Sequence, residues 1–335
     1  MPPRSLSPAS LPSPLLATLS SITAYLGYLA LKFLASPAPN SSYLLSLPYS
    51  HFVELARWSL QISPHPRALN FTEVKFSVGP HLACVGFFRL IFPGGLSSTS
   101  SHPGDTAGGL EGARTWFGRL AQAQPRWARK LGGLPALVLR EGGIGGVRII
   151  PDSFGIMEYA GFRIGEDFRR RMDGRLGTSV RRFAYSTIFR TNMSLYRRVQ
   201  SCNFIQMFFH DIFENVFRTS FWMKGMMGMG LEGEIKAKAV IEEEFGLVET
   251  VLGIHKFLAE GEGGTDFGGG DLAFCALAGW LLCPAGFTNG TIAGDILFDE
   301  SNFAPAYLDF KRKLILTYPR TVRHINMCYH EYRRK

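Results

Sequence analysis

The chain has 335 residues, of which 46% are hydrophobic and 19% charged, and its formal net charge is +9. This composition excludes a chain that is disordered over its whole length, and the length suffices for two domains of ordinary size. The positive charge suits anionic ligands, an acidic membrane surface or nucleic acid, but the usual nucleic-acid-binding motifs are missing. We therefore expect no nucleic-acid partner.

Cysteine usage bears on the compartment and on metal binding. The five cysteines are scattered, odd in number and never spaced as C-x-x-C. This argues against a disulfide framework and predicts a reducing compartment for the globular part. His324 and Cys328 stand four residues apart, a spacing compatible with a metal ion, but no further ligand occurs at motif spacing. The sequence therefore predicts no metal site.

Residues 1–40 form a segment of their own, with Arg4 and Lys32 as its basic residues and no acidic residue. The stretch from Leu15 to Ala35 is mostly apolar and just long enough to span a membrane if Lys32 reaches the interface. Flanks rich in serine and proline also suit a transit peptide for a chloroplast or mitochondrion. We expect a membrane anchor or a targeting sequence outside the globular fold, with a cytoplasmic location left open.

The elements predicted from residue 41 onward begin with a short strand, Tyr43–Ser46, followed by a turn and a helix. Ser50 occupies the expected N-cap position, and apolar residues recur at helical spacing after it. A second strand is predicted at Phe71–Val78. The region near 91–130, which opens on a run rich in glycine, serine, threonine and proline, is expected to be a flexible insertion.

Two apolar strands around a glycine-rich turn come next, Leu134–Leu139 and Val147–Ile150. Pro135 lacks a backbone donor, so it is expected at a sheet edge where neighbouring backbone groups are free to pair with an extended peptide. The second strand runs into Asp152 and Ser153 at a helix start. Their carboxylate, hydroxyl and amide groups suit the zwitterionic head of a small peptide.

Strand patterns fade after Gly161, and stretches with helical spacing follow. Helices are predicted at Glu166–Arg190, Cys202–Met223, Leu231–Ala259, Asp271–Leu282 and Pro305–Tyr332. The chain therefore divides into an α/β domain at 41–163 and an all-helical domain at 164–335.

The order of these motifs resembles a divergent branch of the glutathione S-transferase family. The run LPYSHFVELARW, from Leu47 to Trp58, is similar to the first turn and helix of that fold, and the Leu-Pro strand followed by Asp-Ser is similar to its glutathione-binding half. The run Asp271–Ala278 resembles the central helix of the helical domain, in which Asp271 would hold the helix start. The resemblance implies a thioredoxin-like N-terminal domain and an all-α C-terminal domain.

The resemblance also implies an activity, namely transfer of the glutathione thiolate to a small electrophile, with glutathione as co-substrate. Its thiolate would be stabilised by a donor at a helix start, where a hydroxyl and the helix dipole both lower a thiol pKa. Ser50 is the first candidate, with Ser46 and Tyr49 as alternatives. Leu47 stands at the usual nucleophile position, where it cannot serve.

Four residues would bind glutathione if the resemblance holds. The backbone of Leu134 and Pro135 would pair with the cysteinyl unit, and Asp152 and Ser153 would bind the γ-glutamyl end. An ordinary helix N-cap is the alternative interpretation both of Ser50 and of the Asp152–Ser153 pair. Homodimers are common in the family, so a homodimer is also an expectation.

A protein of a different class fits the same sequence. The transferase fold also serves non-catalytic binding or membrane-tethered assembly modules, with metaxin-like outer-membrane proteins and elongation-factor subunits as family precedents. Leu47 at the active turn and the apolar N-terminus favour this alternative, whereas the order of the motifs favours the enzyme.

Overall fold

The computed structural model describes residues 42–46, 50–65, 70–75, 135–140, 147–191, 230–261, 263–287, 300 and 303–333. Several predicted features lie outside these residues: the N-terminal segment 1–40, the insertion near 91–130 and the helix Cys202–Met223. Across the ranges given above, no helix combines the length and the apolar character that a membrane span requires.

A mixed sheet forms the first part of the described chain. Its strands are β1 (Ser42–Ser46), β2 (Phe71–Lys75), β3 (Ala136–Arg140) and β4 (Val147–Pro151), in the spatial order β2-β1-β3-β4. Strand β1 is parallel to β2, and β3 is antiparallel to both β1 and β4. Helix α1 (His51–Gln61) joins the parallel pair, and α2 (Ser153–Tyr159) follows β4. The predicted order strand-helix-strand, then strand-strand-helix, is confirmed.

The prediction that Pro135 heads an edge strand is wrong. Strand β3 lies between β1 and β4, because Ala136 pairs with Leu45 on one side and with Pro151 on the other. The strand begins one residue after the proline, so the missing N–H removes no ladder hydrogen bond and both neighbours can pair. Among the described strands, β2 and β4 are the edges.

Helices make up nearly all of the remaining described chain. They are α3 (Glu166–Arg170), a π-helical segment (Arg171–Gly177), α4 (Thr178–Thr191), α5 (Leu231–Val251), α6 (Gly269–Leu282), α7 (Pro305–Thr317) and α8 (Pro319–Tyr332). Two of the observed helices end at other residues than predicted. Helix α5 stops at Val251, where the chain turns around Gly253, and the last predicted helix is two helices. Pro319 has no N–H to continue α7, so Tyr318 leaves the helical region (φ −126°, ψ 61°) and α8 begins anew.

Helix α1 lies between the sheet and the helical part of the chain. Ala56 and Leu60 pack into a small core under the sheet, while Phe52, Val53, Leu55 and Trp58 belong to a larger core built mainly by the later helices. The indole N–H of Trp58 donates to the carbonyl of Tyr332 at 3.2 Å. Helix α1 begins at one end of the sheet, so its first residues lie at that end.

Candidate functional site

Strand directions bring the residues that the sequence singled out to one end of the sheet. Strands β1 and β3 are antiparallel, and Leu45 near the end of β1 pairs with Ala136 at the start of β3. On the other side of β3, Ala136 pairs with Pro151, the last residue of β4. The positions next to these three, Ser46, Pro135 and Asp152, therefore lie at a common sheet end. Four residues separate β1 from α1, so α1 starts there too. We call Ser46, Ser50, Pro135, Asp152 and Ser153 the sheet-end site.

Asp152 holds an unusual backbone conformation at the turn from β4 into α2. Its φ of 65° with ψ of 155° belongs to a region used almost only by glycine, at a cost of roughly 1–3 kcal/mol. Its N–H donates to the Pro135 carbonyl at 2.9 Å, and its Oδ1 accepts from the N–H of Gly155 at 2.8 Å. The N-cap interpretation of Asp152 is thus confirmed. The cap and the link to Pro135 together hold the strained residue in place.

Ser50 and Ser153 occupy the starts of the two helices at this sheet end. Ser50 is the N-cap of α1 by its backbone, since its carbonyl accepts from Glu54 N–H at 3.0 Å, but its hydroxyl makes no cap hydrogen bond. Ser50 therefore takes the expected N-cap position, but capping does not account for its hydroxyl. Ser153 is buried in the first turn of α2. Tyr49 and Leu134 lie outside the described residues.

Ser46 is committed to a buried polar network. Its hydroxyl donates to Glu73 Oε1 at 2.6 Å, and Arg57 donates to both oxygens of the same carboxylate, at 2.6 and 2.9 Å. Burial by itself raises the pKa of Glu73, but the hydrogen bonds from Arg57 and Ser46 hold it below its usual value. Because its hydroxyl already stabilises this carboxylate, Ser46 is a weaker donor candidate than Ser50.

The network continues from α1 to the end of the chain. Arg57 also donates to Glu54 Oε2 at 2.6 Å, and Glu54 Oε1 accepts from Arg333 Nε at 2.8 Å. Glu54, Arg57 and Arg333 are all buried. Sequence reasoning missed this network. Its local signal is a Glu and an Arg three residues apart on a helix whose other residues are mostly apolar.

His51, the first residue of α1, joins the sheet end to the π-helical segment. Its Nε2 lies 2.9 Å from the carbonyl oxygen of Gly177, which can only accept, so Nε2 carries the proton. Burial, then the nearby charge of Arg181, lower the pKa of His51 to about 3. A Cβ on Gly177 would lie 2.6 Å from Phe52 Cζ and 3.0 Å from the Met172 carbonyl oxygen, so a larger residue here would displace the Phe52 ring.

We expect His51 to make the protein less stable as the solution is acidified. Its folded-state pKa of about 3 is below the ordinary value, so below about pH 6.5 the unfolded chain binds a proton that the folded chain does not. The free energy of unfolding should then fall by up to about 1.4 kcal/mol per pH unit. His51→Gln keeps an N–H for the Gly177 carbonyl but cannot titrate.

Urea denaturation of both proteins between about pH 7.5 and about pH 5 checks this expectation. Because all other titratable groups are the same in both proteins, their effects on the free energy of unfolding cancel in the difference. The stability of the wild type relative to His51→Gln should decline steadily as the pH falls. A difference that stays constant over this range would contradict a neutral, buried His51.

A second polar cluster lies between α6 and α8, away from the sheet. Asp271 accepts hydrogen bonds from the backbone N–H groups of Leu258, Ala259 and Gly268, at 2.7, 3.0 and 2.9 Å. It therefore holds the start of α6, as expected from the sequence. Its Oδ1 also lies 2.8 Å from His324 Nε2. Burial alone lowers the pKa of His324, but its interactions with Asp271 and with Cys328 together outweigh burial and raise this pKa to about 9.

Two buried thiols complete this cluster. Cys328 Sγ lies 3.5 Å from His324 Nε2, and Cys275 on α6 brings its Sγ within 4.8 Å of both atoms. Hydrogen bonding with Cys275 and with His324 lowers the pKa of Cys328 to about 7, against the effect of burial. Motif spacing could not reveal Cys275 as a third potential ligand, since it lies on a different helix from the pair His324 and Cys328.

No protein-family model matches the chain, and no curated protein sequence matches it. Among solved structures, the chain is similar to FzlA from C. crescentus, with 12% identity, a TM-score of 0.38 and coverage of 87% of this chain and 88% of FzlA. It is also similar to the trimeric glutathione transferase TDR1 of Leishmania, with 14% identity, a TM-score of 0.30 and coverage of 88% and 48%.

The β-etherase LigF from Sphingobium is a third similar structure, with 17% identity, a TM-score of 0.35 and coverage of 81% of this chain and 99% of LigF. All three TM-scores are below 0.5. The description of the fold therefore stands on the strand order and strand directions given above.

Proposed function

We propose that the chain is a glutathione transferase-like protein that binds glutathione at the sheet-end site and transfers its thiolate to a small electrophile. It would comprise a thioredoxin-like domain at 41–163 and an all-helical domain at 164–335. The convergence of the α1 start, Pro135 and Asp152–Ser153 at one sheet end supports this proposal. These are the positions at which the family resemblance implies thiolate stabilisation, peptide pairing and recognition of the γ-glutamyl group.

The position of β3 inside the sheet changes how glutathione would pair with the backbone. Residues from Ala136 onward already pair on both sides, and the Pro135 carbonyl accepts from Asp152 N–H. The cysteinyl unit would therefore pair with the backbone immediately before Pro135, at Leu134, and not along β3. Backbone pairing of this kind is a common way for a protein to bind an extended peptide.

The γ-glutamyl head would be bound by Asp152 and Ser153. A carboxylate offers about four acceptor sites, so Asp152 can cap α2 through Oδ1 and still accept from an ammonium group. The Ser153 hydroxyl would contact the carboxylate of the same amino-acid head. The strained backbone of Asp152, fixed from two sides, would pre-organise this contact.

Ser50 would stabilise the glutathione thiolate. Its hydroxyl makes no cap hydrogen bond, and it stands at the positive end of an 11-residue helix. A hydroxyl donor and the helix dipole both favour the thiolate over the thiol, so more of the bound glutathione would be nucleophilic at neutral pH. Attack on the electrophile then forms the thioether bond and expels the leaving group.

Replacing Ser50 by alanine is expected to lower turnover with a chlorinated nitrobenzene by roughly 10²-fold, since one preorganised donor to a developing or bound anion is lost. The KM for glutathione should change much less, because the tripeptide is bound elsewhere at the site. Ser59→Ala is the matched control: Ser59 is buried on the same helix and its hydroxyl donates to the Ala56 carbonyl at 2.9 Å. Equal rates for Ser50→Ala and Ser59→Ala would show that Ser50 does not stabilise the thiolate.

A non-catalytic binding or assembly module is the second candidate. The engagement of Ser46 by Glu73 and the leucine at position 47 favour it, because both reduce the donors available for catalysis. In that case the chain would bind partners through the same fold, and residues 1–40 would tether it to a membrane or direct it to an organelle. Carbonate washing of native membranes tests the tether, since an anchored chain stays in the pellet.

A further inference from the structure

The cluster between α6 and α8 contains groups that the proposed function does not use. His324 and Cys328 are four residues apart on α8, so they lie on one helix face, and Cys275 faces them from α6. Their two sulfur atoms and one nitrogen all lie within 4.8 Å of one another, and all three residues are buried. Thiolate and imidazole are the ligands that zinc prefers in proteins.

The distances fit a tetrahedral centre. Zn–S and Zn–N bonds of about 2.3 and about 2.05 Å place a sulfur and a nitrogen of one tetrahedron about 3.5 Å apart. Cys328 Sγ and His324 Nε2 are 3.5 Å apart. The approach of Cys275 Sγ to within 4.8 Å leaves only a small adjustment before the same ion can reach it.

An oxygen donor lies next to His324 but outside the group of three ligand atoms. Asp271 Oδ1 lies 2.8 Å from His324 Nε2, and the carboxylate is fixed by three backbone amides at the start of α6. A metal ion would replace the proton on Nε2 and those on the two thiols. The three buried ligands leave a fourth position, which a small shift of Asp271 or a water molecule can fill.

We propose that Cys275, His324 and Cys328 bind one zinc-class divalent ion that joins α8 to α6, with Asp271 next to His324. The site is separate from the sheet-end site, so the proposal stands or falls independently of glutathione binding. Because the ligands are buried, the ion enters as the chain folds.

The test uses the full chain expressed in medium supplemented with zinc or with cobalt and purified without chelator. Elemental analysis should find about one zinc per chain, and the cobalt form should show thiolate-to-cobalt charge transfer and the visible bands of a tetrahedral centre. Cys275→Ser should lower metal content after dialysis by at least about tenfold. Cys283→Ser is the matched control, since Cys283 is a free cysteine just after α6, outside the cluster.

Either of two results would overturn the proposal. The first is that wild-type protein contains no stoichiometric zinc and that its cobalt form shows no cobalt–thiolate absorption. This result does not depend on whether any variant folds. The second is a Cys275→Ser protein that retains as much metal as Cys283→Ser.

Discussion

Replacing Asp271 by alanine is expected to lower the free energy of unfolding by about 3–5 kcal/mol. The carboxylate is completely buried and accepts from three backbone N–H groups and from His324. Its loss leaves the three backbone N–H groups and the neighbouring His324 without their partner in the core. Urea denaturation monitored by tryptophan fluorescence measures the change.

Asp309→Ala is the matched control for this substitution. Asp309 lies on α7 with an exposed side chain and pairs at 3.6 Å with the equally exposed Arg312. Its removal should change stability by less than about 0.5 kcal/mol. A loss at Asp271 no larger than the loss at Asp309 would show that the α6 start does not depend on this carboxylate.

Replacing Glu54 by glutamine is expected to cost about 3–5 kcal/mol of stability. Glu54 is the shared partner of Arg57 and Arg333, and all three residues are buried. The substitution keeps the shape of the side chain but removes the negative charge between two guanidinium groups. Equilibrium unfolding of the variant, together with Arg333→Met and the double variant, measures both the loss and the coupling between the two residues.

The control for the Glu54 prediction is the same substitution in an exposed pair. Glu242 and Lys313 are 2.6 Å apart, with side chains 27% and 56% exposed. Solvent screens this pair, so Glu242→Gln should cost at most about 1 kcal/mol. If Glu54→Gln proves as mild, or if the double variant shows no coupling, the buried network does not hold the chain end on α1.

The sequence predicted the sheet elements well because their signals are local. Apolar runs, the helical spacing after Ser50 and the Asp-Ser step after β4 each indicate one element. It failed for the position of Pro135 because strand order depends on pairing between distant segments. A proline lacks only its own backbone N–H. Strand β3 starts one residue later and pairs with β1 on one side and β4 on the other.

The candidate site was also predicted only in part, where local sequence was sufficient. The sequence picked Asp152 and Ser50, but could not tell that one side chain caps its helix and the other does not. Which acceptor a hydroxyl meets depends on neighbours supplied by other elements. For the same reason the partners of Glu54 and the approach of Cys275 to His324 emerge only in the folded chain, where residues far apart in sequence meet.

Calorimetric titration of reduced glutathione into the full chain and into its Asp152→Gly variant tests the sheet-end site most directly. Glycine accepts the backbone conformation of Asp152 and is a tolerable N-cap, so the variant should fold with little loss of stability while lacking the carboxylate. We predict binding by the wild type with a Kd in the micromolar to millimolar range, and at least about tenfold weaker binding by Asp152→Gly. Absence of heat with the wild type, or equal affinity for both proteins, would contradict glutathione recognition at this end of the sheet.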